Sequence, residues 1–341
     1  LLDRLPAAAC SSPRLRYLRG LARLGQGAFA AGWDDHEQRF AAGCSSLPPL
    51  PVPIWQGEPV AASSHLLLLC EQGLGDGLQF LRFAPLLRPA FARITLLAPE
   101  PLRRVAEASG LVDAVIGQAD PLPETLSHAL PLMSVPHRLG LDQPSGFMPQ
   151  PYLRVDPAEA ELWRGRLRPD AEARRLPLIA LNWQGNRAGE GPTAANRERS
   201  VPLEVLERLT ALQGARLIAV QVGADARAIQ RSALAPALVP AQAAFSQGRP
   251  DLHTTAAVLA SCDLLISNDT SIAHLGGALG VPTWLMLKAH PSWQWGDHAA
   301  TTPWYSAVRC FRQPRPFHWD GLIEPLNQAL EVWRSRRFSA G

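Results

Sequence analysis

No block of lysine or arginine runs through this sequence, and its formal net charge is only +3 over 341 residues. The basic stripe that nucleic acid requires is therefore missing. Nor does any apolar run approach the roughly 20 residues of a bilayer span. Hydrophobic residues make up 47% of the chain, but 32 prolines and the charged positions cut them into short pieces. Residues 1–10 lack the basic start and long apolar core of a secretory signal. Cysteines are few, odd in number and scattered: Cys10, Cys44, Cys70, Cys262 and Cys310 show no metal-ligand spacing. They suggest reduced thiols, mostly buried filler, in a cytoplasmic protein. What remains is a soluble globular chain long enough for two domains, with no transmembrane segment, no metal centre and no nucleic-acid partner expected.

The stretch from Leu264 to Leu287 organises the rest. An apolar run, Leu264-Leu265-Ile266, ends in Ser267-Asn268-Asp269-Thr270-Ser271; a small-residue helix, Ile272 to Leu279, follows, and then a second apolar run, Thr283 to Leu287. Strand, loop, helix and strand place the loop at a helix N-terminus, where unpaired N–H groups and the helix dipole favour an anion. Asp269, Thr270 and Ser271 are also ordinary N-cap types, so plain capping explains the same pattern. A second strand-to-helix loop lies upstream. The run His65 to Cys70 reads as a buried strand, Glu71-Gln72-Gly73-Leu74-Gly75-Asp76-Gly77 as a glycine-rich loop, and Leu78 to Phe83 as the start of a helix. Three glycines in five residues allow close backbone approach. A dinucleotide fingerprint would need glycine at position 78, where Leu78 stands, so a nicotinamide enzyme is disfavoured.

Between and beyond these loops, strands and helices alternate. Arg93–Leu97, Asp113–Ile116, Leu178–Trp183 and Ala215–Val222 read as strands, and Pro101–Ser109, Ala158–Leu167, Glu204–Leu212 and Asp251–Leu259 as helices. His128–Pro136 reads as a strand and loop, and Trp319–Trp333 as a terminal helix. Alternation of this kind implies parallel sheets with helices on both faces. Residues 13–43 are different: Leu15, Leu18, Leu21 and Leu24 keep a helical step, and Ala28–Ala41 brings Trp33, His36 and Phe40 to one face. The proline-rich Leu47–Pro53 reads as a stiff connector.

Asn268–Leu275 with Gly276–Pro282 resembles the nucleotide-sugar motif of bacterial heptosyltransferase-type glycosyltransferases (glycosyltransferase family 9), and Glu71–Arg82 resembles their Gly-Asp loop. Gly32–Phe40 is similar to the last helix pair of a tetratricopeptide array joined to such a domain, and Trp293 to Pro314 to the tail of those fusions. The resemblance implies an α/β, GT-B fold: two Rossmann-like domains facing a cleft, with a short all-α N-terminal appendage. The boundaries expected are 1–45 for the appendage, 46–167 for the acceptor domain, 168–315 for the nucleotide-sugar domain, and 316–341 for a helix crossing back. It also implies a metal-independent transferase without cofactor, taking a nucleotide-diphosphate sugar donor and a glycan, lipopolysaccharide or protein acceptor. A protein partner on the N-terminal helices is a further expectation, and a non-catalytic binding or interaction module on the same fold is the alternative.

The resemblance carries roles onto named residues. Asp76 stands where the family places its base, a carboxylate that takes the acceptor hydroxyl's proton, although it can equally cap its helix; Gln72, Gly73 and Gly75 form the loop beside it. The donor would meet Asp269, Thr270, Ser271 and His274, the last either packing or steadying the loop. A basic residue would neutralise the departing diphosphate, with Arg187, Arg197 and Arg199 as candidates where the family carries lysine. Lys288, just beyond a strand end, can also face phosphate. Gln221 can present its amide to a base or merely shape a turn, and Asp251 can cap a helix or touch ribose. Thr254 stands where many relatives have an acid. Trp293 and Trp295 suit either ring stacking or core packing.

Overall fold

Leu66 to Leu69 form an unbroken apolar run because the strand that they build is covered on both faces, as parallel strands are. In the computed structural model, which describes residues 12–185, 199–222, 224–247, 251–296 and 299–338, that strand is central to the first of two compact units. This unit runs to Leu153 and takes back the segment Ser292–Trp304; the second comprises Arg154–Pro291 and the chain from Tyr305 onward. Strands β1 (His65–Leu69), β2 (Arg93–Leu97), β3 (Ala114–Ile116) and β4 (His128–Pro131) lie in the order β3-β2-β1-β4, all parallel. The order reverses between β1 and β4. Sheets of this kind bind ligands beside such a reversal, at the carboxyl ends of the strands.

Helices α1 (Pro13–Gly25) and α2 (Phe29–His36) form the expected hairpin. Arg16, Arg19 and Arg23 project from one side of α1, at steps of three and four, and converge on Asp35: Nε of Arg19 lies 2.6 Å, Nη1 of Arg23 2.9 Å and Nε of Arg16 3.3 Å from its carboxylate. Asp35 is only 2% exposed, so three cations are spent holding one buried anion. Trp33 donates from Nε1 to the Leu141 carbonyl at 2.9 Å and packs edge-on against Phe80. The hairpin is thereby fixed onto the first sheet's own helices. Helix α3 (Leu74–Leu81) follows β1, and α4 (Glu100–Ser109) follows β2.

The proline-rich connector packs rather than spaces. Trp55 N–H donates to the Ala129 carbonyl and Ala129 N–H to the Pro53 carbonyl, each at 2.9 Å, while Leu47, Leu50, Val52 and Ile54 cover Leu67, Leu69 and Ala129. Proline is tolerated there because an edge segment need not donate from every residue.

In the second unit, β5 (Leu178–Asn182), β6 (Arg216–Ala219), β7 (Leu264–Asn268), β8 (Thr283–Leu287) and the last strand, Tyr305–Arg312, run parallel, with β5 between β6 and β7 and β8 between β7 and the last strand. Its order reverses between β5 and β7. The expected helix Glu204–Leu212 stops at Glu207, and a 3₁₀ turn, Thr210–Leu212, replaces its end. The terminal helix Ile323–Phe338 takes the backbone groups that a longer helix would have used: Asn327 Oδ1 accepts from Ala211 N–H at 3.2 Å, and Arg334 donates to the Ala211 carbonyl at 3.0 Å. Its Leu326 and Leu330, wholly buried, complete the core of this unit. Among the described residues no helix is long and apolar enough to cross a membrane. Desolvation pushes the Cys70 thiol up to about 12 and that of Cys310 up to about 11, so both remain thiols; Cys310 is buried and Cys70 half-buried.

Burial, and then the charge of Arg39, push His36 down to about 3. An ordinary histidine in the unfolded chain takes up its proton near 6.5. Between these values the unfolded state binds the extra proton, so the contribution is fully present above about 6.5 and falls with pH, by up to ~1.4 kcal/mol per unit. His65 is also lowered, by burial and by Arg93, and acts in the same direction. Substitution His36→Asn, which keeps an acceptor for Arg39, is expected to flatten the decline in denaturation free energy between roughly pH 6.5 and 4.5, above the range where carboxylates titrate. Identical slopes in the two proteins over that interval would refute the assignment.

Candidate functional site

Two asparagines close apolar strands at the reversal point of the second sheet. Asn182 ends β5 and Asn268 ends β7, both at most 2% exposed. The Asn182 amide donates to Asn268 Oδ1 at 2.8 Å and to Thr270 Oγ1 at 3.0 Å, and Asn268 Nδ2 donates to the Arg199 carbonyl at 2.8 Å. Thr270 is the N-cap of the helix Ser271–Leu279, yet its side chain makes no capping bond. Its hydroxyl is held by Asn182 instead. The plain-capping explanation of this loop therefore fails for the Thr270 side chain.

Gly276 and Gly277 let this helix lie close on its surroundings. A Cβ on Gly277 would stand 2.6 Å from the Tyr305 ring, and one on Gly276 2.6 Å from Leu265 Cδ2. His274, 4% exposed, has its Nδ1 2.9 Å from the Tyr305 hydroxyl, so the structure shows it packed on the last strand. Asp269 is buried at 6% exposure and Ser271 begins the helix. Gln221 shapes the neighbouring strand end: its Oε1 accepts N–H groups of Trp183 at 3.2 Å and Gln184 at 2.9 Å. Asp251 caps the helix Leu252–Ala260 by accepting from Thr254 N–H at 2.7 Å. The Thr254 hydroxyl donates to Glu159 at 2.9 Å, so a carboxylate from the helix Pro157–Leu167 stands beside Thr254. Lys288 is half-buried just past β8. Arg187 and Arg197 lie outside the described residues, whereas Arg199 contributes its carbonyl to Asn268. Gln313, which follows the last strand, is 3% exposed with neither amide atom partnered.

In the first unit, the glycine-rich loop crosses the carboxyl end of β1. Gln72 adopts φ 58°, a left-handed conformation uncommon outside glycine. Asp76 does cap: Gly73 N–H donates to its Oδ2 at 3.0 Å. Its Oδ1 accepts from Gln294 Nε2 at 3.1 Å. The helix begins at Leu74 rather than at Leu78, because Gly73 serves as its N-cap, so Gly75 and Gly77 belong to the helix; Gly73 is exposed and Gly75 half-buried. Trp295 is fully buried, whereas Trp293 is only half-buried; the two tryptophans therefore divide between core and surface.

No family model matches the chain. Protein FlbA of Caulobacter vibrioides is 23% identical over a 366-residue alignment that covers 96% of this chain and 56% of that protein, so the chain spans little more than half of the relative's length. Among solved structures, the ADP-heptose lps heptosyltransferase II of E. coli matches with a TM-score of 0.53 at 17% identity, over 79% of this chain and 99% of that one. The glycosyl transferase family 9 protein of Veillonella parvula matches with a TM-score of 0.56 at 14% identity, over 81% and 98%. The chain shares their fold. Two parallel α/β units of the GT-B kind are thus the framework on which Asn182, Asn268 and Thr270 sit in one unit, and Asp76 in the other.

Sequence reasoning missed Asn182, Gln294 and Gln313. A signal existed for the first: an asparagine ends an otherwise apolar strand, as Asn268 does. Gln294 gave none, because its partner Asp76 lies more than 200 residues away.

Proposed function

We propose that the chain moves a sugar from a nucleotide-diphosphate sugar to a hydroxyl of a glycan, lipopolysaccharide or protein acceptor, in the cytoplasm and without a metal ion. The observation that carries this reading is the Asn182–Asn268–Thr270 arrangement at the reversal point of the second sheet, next to a helix N-terminus. In this proposal the diphosphate meets the N–H groups around Thr270 and Ser271, with Asp269 and His274 shaping the loop and Gln221 the floor for the base. The acceptor oxygen forms its bond to the anomeric carbon as the bond to diphosphate breaks. Asp76 takes the hydroxyl proton, with Gln72, Gly73 and Gly75 flanking the acceptor. Lys288 and an arginine, Arg187 or Arg199, neutralise the charge that develops on the leaving diphosphate. The α1–α2 hairpin is the last unit of a tetratricopeptide-like array and offers a surface to a protein partner.

A second reading has its own support. Both oxygens of Asp76 accept hydrogen bonds within the fold, as suits a chain that keeps the fold and binds a nucleotide sugar without transferring it.

Calorimetric titration with ADP, UDP and GDP and the matching sugar nucleotides, in chelator, tests donor binding. Selective binding of one nucleotide is expected, with a Kd between ~1 μM and ~1 mM as for enzyme substrates. Asn268→Ala is expected to weaken it by about tenfold, since it strips partners from Asn182 and the Arg199 carbonyl. No binding across the panel by folded protein would remove the proposal, and binding that needs a divalent ion would remove its metal independence.

A further inference from the structure

One face of the second sheet is apolar until its carboxyl edge and polar there. Leu181, Ala219, Ile266, Met286 and Phe311 all belong to the buried core of this unit, and side chains on one face of a strand recur every second residue. Two residues further on, the same face therefore carries Trp183, Gln221, Asn268, Lys288 and Gln313. The backbone ladder continues far enough to hold this alternation, since Val220 N–H donates to the Leu181 carbonyl and Gln313 N–H to the Leu287 carbonyl, each at 2.9 Å. Across the sheet the row runs Gln221, Trp183, Asn268, Lys288, Gln313.

Most amides in this unit are engaged within the fold. Asn268 is bonded to Asn182 and to the Arg199 carbonyl, and Gln221 accepts two N–H groups and donates to the Val222 carbonyl at 3.2 Å. Gln242, 6% exposed, shows what a structural glutamine does here: its Oε1 accepts from Ala219 N–H at 2.7 Å, and its Nε2 donates to the Ala219 carbonyl at 3.1 Å and to Ser246 Oγ at 3.0 Å. Gln313 is buried more deeply, at 3% exposure, yet neither of its amide atoms meets a partner among the described residues. Nor is it a loosely held side chain. Its N–H is fixed on Leu287, and the following Pro314 packs so closely that a Cβ on Gly321 would stand 2.6 Å from its Cγ. A buried amide in that condition calls for both a donor and an acceptor from water or ligand.

We infer that Gln313 binds hydroxyl groups of the sugar in the donor and selects the donor by them. The inference rests on the glycosyl-transfer reading and deepens it. Neighbouring strands lie about 4.8 Å apart, so Gln221 and Gln313 each stand two strands, roughly 10 Å, to either side of Asn268. A diphosphate at Thr270 and Ser271, just past β7, has its nucleoside on one side and its sugar on the other. With the base over Gln221, the sugar falls on the side of Lys288 and Gln313. Sugar hydroxyls donate and accept, and so does an amide: Oε1 takes a hydrogen bond from one hydroxyl while Nε2 gives one to its neighbour. A site built this way rejects a sugar that lacks the hydroxyl, because its own buried groups are then left unpaired.

Calorimetric titration of the full chain with ADP, UDP and GDP, each against a sugar conjugate, ADP-heptose, UDP-glucose and GDP-mannose, tests this. Gln313→Leu and Gln313→Met are expected to weaken the conjugate that binds by about tenfold, the loss of hydrogen bonds to hydroxyls. The bare nucleoside diphosphate should stay within about twofold. Neither variant should melt below the parent, since an apolar group of similar shape replaces an amide without partners. Equal weakening of conjugate and bare nucleotide would assign Gln313 to the nucleotide, and unchanged affinity for both would leave it as core filler. Either result overturns the inference, as would unfolding of both variants or a parent that holds a nucleotide but none of the conjugates. In each of these cases the transferase reading survives. A folded parent that binds no nucleotide removes that reading, and the role of Gln313 with it.

Discussion

Asp76→Asn is expected to slow release of nucleoside diphosphate from the sugar donor by about 10²- to 10⁴-fold, the usual contribution of a positioned acid or base, while donor affinity stays within about twofold. Water suffices as acceptor in this assay, because it too must lose a proton as its oxygen bonds to the anomeric carbon. Asparagine keeps an oxygen that can accept from Gly73 N–H, the bond that closes the first turn of α3, so the helix start survives the substitution. What asparagine cannot do is take a proton. The donor loop lies in the other unit, which is why affinity and rate should separate. Equal turnover in the two proteins would leave Asp76 as a cap alone and favour the non-catalytic reading; a parallel loss of donor affinity would mean that the variant perturbs structure rather than proton transfer.

Parallel strands buried on both faces show no alternation, and for that reason they are the easiest elements to read: β1, β2, β5, β7 and β8 are short runs dominated by leucine, isoleucine and their like. The connector at Leu47–Pro53 was harder. Leu50, Val52 and Ile54 alternate with prolines, a period of two that marks an edge segment, but proline content pointed to a spacer. The break after Glu207 had no local sign, because the groups that replace its helical hydrogen bonds come from Asn327 and Arg334, more than 100 residues on. The site divides in the same way. Asp269 to Ser271 and Asp76 lie where a strand passes into a helix, and there the resemblance of whole motifs singles them out. Asn182 acquires its meaning from β7 lying next to β5, Gln294 from the return of Ser292–Trp304 to the first unit. Tertiary pairing, which no local pattern encodes, made these residues neighbours.

The same limit concealed Arg39, whose replacement by methionine is expected to cost the first unit about 3–5 kcal/mol. Arg39 is wholly buried. Its Nη2 and Nε reach the two oxygens of Glu71 at 2.7 and 3.0 Å, Nη2 also donates to Ser134 Oγ at 2.6 Å, and Nη1 reaches Glu37 at 2.7 Å. Burial alone would weaken its proton, but Glu71 and then Glu37 more than offset this and hold the guanidinium above its usual range. Glu71 and Ser134 sit at the carboxyl ends of β1 and β4, so this one side chain fills the point where the first sheet's order reverses and joins the helical hairpin to the sheet. Without it, Glu71 keeps the Ser45 hydroxyl at 2.7 Å but no cation, and an unpaired buried carboxylate is the expensive outcome. Lysine should recover only part of the loss, because a point charge cannot match both oxygens. Hydrogen exchange of the β1 amides reads the first unit separately from the second. Arg39→Met together with Glu71→Leu is expected to recover most of the protection, since replacing a whole buried pair by apolar groups is often neutral. A single variant within about 1 kcal/mol of the parent would show that the pair is dispensable, and a double variant less protected than the single would show that Glu71 stabilises without its cation. Glu71 directly precedes Gln72, with its left-handed backbone, and lies five residues before Asp76. Arg39→Met should therefore also slow donor hydrolysis while nucleotide binding persists, because the hairpin that Arg39 anchors holds the segment leading into α3, whose first turn carries the proposed base.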